Sequence, residues 1–103
     1  MNIIDIEQQE IIDGFTGRFV HTKGFTIGFW EVDAGAELPQ HAHIHEQTTQ
    51  VTEGEFEMTV DGVTKIYSPG MVLVIPSNAT HGGKALTKCK ITDIFCPVRE
   101  DYK

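Results

Sequence analysis

Leucine, arginine and cysteine are scarce in this chain, and each scarcity narrows the class of protein. Only three of the 103 residues are Leu, whereas Val, Ile and Thr together number 30. Side chains branched at Cβ fit a pleated sheet better than a helix, so an all-helical bundle is excluded. The two cysteines, Cys89 and Cys96, do not make a disulfide framework, and a reduced, cytoplasmic protein is expected.

Positive charge and long apolar runs are lacking as well. Eight Lys and Arg stand against 15 Asp and Glu, which gives a net charge of −7 without a basic cluster. Binding to nucleic acid or to an anionic membrane through bulk charge is therefore not expected. No apolar run approaches the roughly 20 residues that span a bilayer. The first residues have neither the basic region nor the long apolar region of a signal peptide.

Short strands and tight turns account for most of the sequence. Turn residues recur about every 8–12 positions, which is typical of a sandwich or barrel, and Asp61-Gly62 is a strong hairpin signal. Residues 1–12 are interpreted as an arm or a short strand. The pattern predicts one all-β domain over residues 1–103, with a closed or two-sheet structure of roughly seven or eight strands. The predicted strands are 18–22, 25–32, 47–53, 55–60, 63–67, 71–75 and 88–96.

Three of the five histidines lie close together, at His41, His43 and His45. In an extended segment alternate side chains share a face, so His41 and His43 are expected to point into one cavity. His81 follows the apolar segment 71–75. Neutral imidazole is a good ligand for first-row metals, and two rings from one segment plus one from another form a chelating site. The alternative is that the His-Ala-His-Ile-His stretch is a solvated loop.

The spacing around these histidines resembles the two sequence motifs of the cupins. The matching stretches are Gly35-x5-His41-x-His43-x3-Gln47-x6-Gly54 and Gly70-x5-Pro76-x-Asn78-x2-His81. The resemblance implies a double-stranded β-helix (jelly roll) barrel that holds one divalent transition metal, with Zn, Ni, Mn and Fe all left open. Carried over residue by residue, it implies the metal ligands His41, His43, Gln47 and His81.

Three positions depart from the usual cupin motif: Gln47, Asn78, and Ala85, which stands where a later Asn is common. Gln47 stands where Glu is usual, and a neutral amide leaves the full 2+ charge on the site. That charge favours Lewis-acid work on an anionic substrate over redox cycling. The alternative is that Gln47 does not bind, which leaves a three-His site. Asn78 replaces a turn Gly and tolerates a left-handed turn. His45 has no ligand position in the motif, and both a pocket-lining role and simple packing stay open.

The C-terminal strand carries an acid on an otherwise apolar face. Cys89, Ile91, Asp93 and Phe95 alternate, so a face that lines the barrel would bury Asp93 near the metal. A buried carboxylate is a candidate general acid or base. The alternative is an exposed strand end.

Arg99 follows this strand, and a planar guanidinium pairs bidentately with a carboxylate. Two partners stay open for Arg99. One is a substrate carboxylate, and the other is Glu100 or Asp101 in a surface salt bridge.

The segment 93–102 resembles the D-x-F-x-P-x-R-x-D-[FY] ending of the pectin-degradation cupins of the KdgF type. Those proteins also have an H-x-H-x-H-x-Q stretch like that of residues 41–47. The resemblance implies linearisation of 4,5-unsaturated uronate monosaccharides to the 5-keto-4-deoxy sugar acid. It implies that Asp93 transfers a proton, that Phe95 forms a pocket wall, and that Arg99 anchors the substrate carboxylate.

Three functions are therefore kept open. The first is a metal-dependent enzyme that acts on a small anionic sugar, as the resemblance implies. The second is a cupin oxygenase that uses iron on another small substrate, and the third is a non-enzymatic module that binds a sugar or another small molecule. Small cupins often pair through N-terminal strands, and the apolar stretch from Ile3 to Ile12 suits a homodimer.

Overall fold

The computed structural model describes all 103 residues and folds most of them into β-strands. Two short 3-10 helices, Ile3–Asp5 and Glu100–Tyr102, lie near the chain ends, and no helix is long and apolar enough to cross a membrane. The ten strands are β1 (Gln9–Ile12), β2 (Phe15–His21), β3 (Thr26–Val32), β4 (Glu37–His41), β5 (Glu46–Glu53), β6 (Phe56–Val60), β7 (Val63–Tyr67), β8 (Val72–Ile75), β9 (His81–Ala85) and β10 (Cys89–Cys96).

Two antiparallel sheets pack around one apolar core. The six-stranded sheet has the order β1-β2-β3-β10-β5-β8, and the four-stranded sheet has the order β4-β9-β6-β7. Burial alternates along β3 and along β10, as expected for strands with one face toward a core. The core draws on both sheets and includes Trp30, Val32, Phe56, Met58 and Ile75. The prediction of an all-β jelly roll is confirmed.

The last strand, β10, lies at the centre of the larger sheet. It pairs with β3 on one side and with β5 on the other. Cys89, Ile91, Asp93 and Phe95 are its buried residues, so the predicted inward face is confirmed and the alternative of an exposed Asp93 is wrong. Because β10 is flanked on both sides, the Asp93 carboxyl is held in a strand that cannot shift on its own.

Two turns have the conformations that their residues favour. Asp61 and Gly62 both have positive φ, at 47° and 82°, as a tight hairpin between β6 and β7 requires. Asn78 has φ 65°, so Asn takes the left-handed position there. The Asn78 N–H donates to the His43 carbonyl at 2.8 Å, which ties the loop before β9 to the histidine loop.

The structure contains more strands than the sequence pattern predicts. The predicted strand 63–67 has the bounds of β7, and none of the other predicted boundaries is off by more than three residues. The pattern missed β4, which contains Pro39, and β9, which contains Gly82 and Gly83. A Cβ on Gly83 would collide with the Glu57 carbonyl oxygen, so this strand needs glycine where neighbouring backbones approach closely.

The His-Ala-His-Ile-His stretch is not one extended segment. His41 ends β4, and residues 42–45 form the connection to β5. The expectation that His41 and His43 point into one cavity is confirmed, but the strand alternation from which it was argued is wrong. They meet because the chain crosses from the smaller sheet to the larger one at this point, and His41 lies directly opposite His81 in the register of β4 and β9.

Candidate metal centre

Three histidines form a cluster at one end of the barrel. Ligand nitrogens of His41, His43 and His81 all lie within 4.8 Å of one another. His41 comes from the end of β4, His43 from the following loop and His81 from the start of β9. The ring centroids of His41 and His81 are 4.3 Å apart, and those of His43 and His81 are 4.8 Å apart.

Each of these rings has its Nδ1 held by a backbone carbonyl. Nδ1 of His41 lies 2.8 Å from the Pro39 oxygen, Nδ1 of His43 lies 2.9 Å from the His45 oxygen, and Nδ1 of His81 lies 2.9 Å from the Ala79 oxygen. A carbonyl only accepts, so each Nδ1 carries the proton and donates it. Nε2 is then the nitrogen of each ring that is available to a metal, which is the arrangement of metal-binding histidines with an ordered outer shell.

The Gln47 side chain completes this donor set from the larger sheet. Its Oε1 lies 3.1 Å from Nε2 of His43, and its Nε2 donates to the Thr49 hydroxyl at 3.0 Å. Burial, together with the nearby charges of Arg99 and His81, lowers the pKa of His43 to about 4, so this ring is neutral at pH 7. Two lone pairs, on Nε2 and Oε1, therefore face each other at hydrogen-bond distance.

A divalent cation bound by both atoms would remove the repulsion between Nε2 of His43 and Oε1 of Gln47. Two acceptors without a proton between them repel, whereas both are satisfied when they bind the same cation. Three imidazole nitrogens and one amide oxygen suit a first-row transition metal. The chemistry of the four side chains present thus fits the predicted metal, with His41, His43, Gln47 and His81 as the residues that would hold it.

The Asp93 carboxyl lies beside this cluster and is only 7% exposed. The Thr49 hydroxyl donates to its Oδ1 at 2.7 Å. Burial raises the pKa of Asp93 to about 6, and the neighbouring donor groups of Thr49, Gln47 and Trp30 oppose that rise because they favour the ionised form. The result is a buried carboxyl with one oxygen, Oδ1, fixed by Thr49.

Arg99 is also buried, at 7% exposure, and closes the other side of the site. Its Nε and Nη2 donate to the two carboxylate oxygens of Asp101, at 2.9 and 2.8 Å. Its guanidinium stacks on Tyr102 and Phe95, with the central carbon 4.0 and 4.7 Å from the ring centroids. The ion pair with Asp101 that the sequence left open is present, and Asp101 lines the cavity while its side chain is 59% exposed. The Tyr102 hydroxyl is a further polar neighbour of the guanidinium.

One cavity of about 310 Å³ connects these groups. Most of the rest of its lining is apolar, from residues such as Phe15, Trp30 and Leu38. Every residue that the sequence assigned to the site lines this cavity: His41, His43, Gln47, His81, Asp93, Phe95 and Arg99.

His45 takes no part in the donor set. Its Nε2 lies 3.2 Å from the Val98 carbonyl oxygen, and its Nδ1 is buried without a hydrogen-bond partner. The backbone carbonyl of His45, rather than its ring, serves the site by accepting from His43. Of the two interpretations of His45, packing against the C-terminal segment is the one that the structure supports.

Thr49 and Asp101 belong to the site, yet sequence reasoning gave neither a role in it. Thr49 lies two residues after Gln47 on β5, so the two side chains share a face. That spacing was the available signal, but it carries little information in a chain with 11 threonines. Asp101 was considered only as a surface partner of Arg99.

A family model and a similar known protein both indicate the same family for this chain. The Cupin_2 model, described as a cupin domain, matches residues 28–95. The pectin degradation protein KdgF of Dickeya dadantii (strain 3937) is 33% identical over 70 residues, which cover 66% of this chain and 64% of that protein.

Two solved structures are similar over nearly the whole chain. An RmlC-like cupin from Shewanella frigidimarina NCIMB 400 has a TM-score of 0.94 and 32% identity, and the match covers 100% of this chain and 94% of that one. KdgF from Halomonas sp. has a TM-score of 0.91 and 29% identity, with 97% and 94% covered. Because the Cupin_2 model matches residues 28–95, which make up most of the chain, this chain belongs to the cupin domain family.

Proposed function

We propose that this cupin is a metal-dependent enzyme that opens the ring of 4,5-unsaturated uronate monosaccharides, giving 5-keto-4-deoxyuronates. The observation that carries the proposal is the convergence of three kinds of group on one cavity. A metal donor set, the Asp93 carboxyl and the Arg99 guanidinium all line the same space. The similarity to two proteins named KdgF, one of them described as a pectin degradation protein, supports the choice of substrate.

The reaction is an isomerisation, and its atoms balance without a co-reactant. The C1 hydroxyl loses its proton and C1 becomes an aldehyde as the bond between C1 and the ring oxygen breaks. The ring oxygen leaves with the electron pair and becomes the oxygen of an enolate at C5. The proton taken from the C1 hydroxyl is then delivered to C4, which turns the enolate into a ketone. A bound divalent metal supplies Lewis-acid polarisation of a substrate oxygen.

Asp93 is the residue that we propose moves the proton. Its Oδ1 is fixed by Thr49, so we assign Oδ2 as the oxygen that takes a proton from the C1 hydroxyl and returns it to C4. The strand that carries Asp93 is held between β3 and β5, which keeps this oxygen in place. The apolar walls of the cavity, including Phe95, limit the access of water to the carboxyl.

Arg99 is the residue that we propose binds the substrate carboxylate. Asp101 occupies Nε and Nη2, so we assign Nη1, which the Tyr102 hydroxyl neighbours, as the donor to the substrate carboxylate. The stacking of the guanidinium on Phe95 and Tyr102 fixes its plane. A cationic metal centre and this guanidinium make a positive pocket inside a protein of net charge −7, which suits a small anionic sugar.

The oligomeric state and the cellular setting of the enzyme are further parts of the proposal. Ile3 and Ile4 are exposed, and β1 is an edge strand of the larger sheet, so we propose a homodimer formed through this N-terminal segment. Both cysteines are free, which supports a reducing, cytoplasmic setting. The molar mass in solution, measured by light scattering, tests the dimer: a monomer at all concentrations would contradict it.

The test of the function follows the ultraviolet absorbance of a 4,5-unsaturated uronate monomer. Loss of the conjugated double bond removes the absorbance, and spontaneous opening is measured in a control without protein. We expect the metal-loaded protein to exceed the spontaneous rate and the chelated protein to fall back to it. No acceleration with any of Zn, Ni, Mn or Fe would contradict the proposal. Iron-dependent oxygen consumption, or ligand binding without chemical change, would move the assignment to an oxygenase or to a binding module.

A further inference from the structure

Thr49 stands between the metal donor set and the proton-transfer carboxyl. It is buried on β5, two residues after Gln47, and it pairs with Asp93 across the β5–β10 ladder. The Gln47 Nε2 donates to its hydroxyl oxygen at 3.0 Å, and the hydroxyl donates to Oδ1 of Asp93 at 2.7 Å. The Thr49 hydroxyl therefore contacts both the metal-ligand side chain of Gln47 and the carboxyl of Asp93.

The direction of these hydrogen bonds decides the orientation of the Gln47 amide. A hydroxyl has one hydrogen, and here that hydrogen goes to Asp93. The hydroxyl oxygen can then only accept from Gln47, so it must face the NH₂ end of the amide. The other end, Oε1, consequently faces Nε2 of His43, at 3.1 Å.

The opposite orientation of the amide would block the centre. If the amide were turned over, its NH₂ group would donate to Nε2 of His43 and occupy the lone pair that binds a metal. Its oxygen would at the same time face the oxygen of the Thr49 hydroxyl, with no hydrogen between them. The Thr49 hydroxyl therefore favours the amide orientation in which Gln47 can bind a metal over the orientation in which it would block the site.

We propose that Thr49 is a positioning residue of the metal centre: its hydroxyl directs Gln47 Oε1 toward the three histidines and fixes Asp93 beside them. The inference rests on the metal centre of the proposed function and not on its substrate. Outer-shell partners of metal ligands change metal affinity by about 10–100-fold when they are removed. The route from Thr49 to the metal that we propose runs through Gln47, whose amide also neighbours the Asp93 carboxyl.

The experiment measures Co²⁺ binding by wild type and variants, using competition with a chromophoric chelator and the visible absorption spectrum of bound Co²⁺. Thr49→Val keeps the shape of the side chain and removes the hydroxyl. We expect its Co²⁺ affinity to fall about 10–100-fold, with a changed spectrum, because the amide oxygen is no longer directed to the metal. Thr49→Ser keeps the hydroxyl, and we expect it to restore both affinity and spectrum.

The matched control is Thr48→Val, the same substitution one residue earlier on the same strand. Thr48 lies on the opposite face of β5, away from the cavity, and we expect wild-type binding. Thermal unfolding of each variant checks that it is folded. If Thr49→Val does not fold, Thr49→Ala removes the same hydroxyl from a smaller side chain.

A double-mutant cycle with Gln47→Leu shows whether Thr49 acts through Gln47. In the Gln47→Leu background we expect Thr49→Val to cause no further loss of Co²⁺ affinity. Equal losses of Co²⁺ affinity in both backgrounds would overturn the inference. So would a Thr49→Val variant with wild-type affinity and spectrum, and so would a wild-type protein that binds no Co²⁺. A wild-type protein that binds Co²⁺ but leaves the unsaturated uronate unchanged would overturn the proposed function and leave this inference standing.

Discussion

Each polar side chain of the site has one end held by a neighbouring group of the protein. The histidines hold Nδ1 and present Nε2, Gln47 holds Nε2 and presents Oε1, and Asp93 holds Oδ1. Arg99 holds Nε and Nη2. Such supported side chains keep their geometry before a ligand arrives, which is the physical basis of a pre-organised site.

Replacing Arg99 by Lys tests the role of its fixed guanidinium. Lys lacks the planar fork that pairs with Asp101, so its ammonium is not held in place for a substrate carboxylate. We expect KM for the unsaturated uronate to rise about tenfold or more, because a hydrogen bond to a charged group contributes about 1.5–3 kcal/mol. Steady-state kinetics would show a smaller change in kcat.

The other arginine of the chain provides the control for this change. Arg18 donates to the carbonyls of Ile4 and Ile6 and lies outside the cavity. Arg18→Lys should leave KM unchanged. A KM that rises equally in both variants would mean that the effect is general rather than local to the site.

Single residues differ in how far the sequence alone identifies them. The histidines and Gln47 stand at fixed spacings, and Asp93 interrupts an apolar face, so all of them were selected as candidates. Thr49 was not selected, because its role depends on the pairing of β5 with β10, and register is a property of the folded sheet. Asp101 is exposed, as expected, but the sequence does not show that the chain after β10 turns back so that this residue also lines the cavity.

At the scale of elements, β9 shows why local propensity misleads. Gly82 and Gly83 are unfavourable in an isolated strand, yet β9 lies between β4 and β6 and carries His81 into the cluster. Only glycine fits at position 83 beside the Glu57 carbonyl. The hairpin at Asp61-Gly62 was predictable because its conformation depends on those two residues, whereas β9 depends on its neighbours.

Substituting glycine by alanine in and outside β9 tests this view. Gly83→Ala places a Cβ against the Glu57 backbone, and we expect the free energy of unfolding to fall by about 1–3 kcal/mol. Gly24→Ala is the matched control, because no atom lies within 4 Å of the added Cβ. Its effect should stay within about 0.5 kcal/mol in urea unfolding. Equal stability of the two variants would contradict the packing constraint on β9.

At the scale of the whole molecule, the donor set joins the two sheets. His41 and His81 belong to the smaller sheet, Gln47 belongs to the larger one, and His43 lies in the connection between them. A bound ion would therefore cross-link both layers of the jelly roll. The family motifs made this assembly predictable, while the chain path that brings His41 beside His43 was mispredicted as a continuous strand.

Metal binding should consequently stabilise the fold. At a free metal concentration 100 times Kd, mass action adds about 2.7 kcal/mol to the free energy of unfolding. For a domain of this size that corresponds to a rise in Tm of roughly 10–20 °C, measured by thermal unfolding with metal and with chelator. His81→Ala should unfold at the same temperature in both conditions. A wild-type Tm that does not depend on metal would contradict the assignment of the centre.

The most direct measurement compares the turnover of a 4,5-unsaturated uronate by wild type and by Asp93→Asn at equal metal content. Asn keeps the shape of the side chain but cannot carry the proton, and general acid–base catalysis contributes about 100-fold or more. We expect metal content and KM to stay near wild type while kcat falls by at least about 100-fold. Equal kcat in the two proteins, each corrected for spontaneous ring opening, would contradict the role of Asp93 and with it the proposed mechanism.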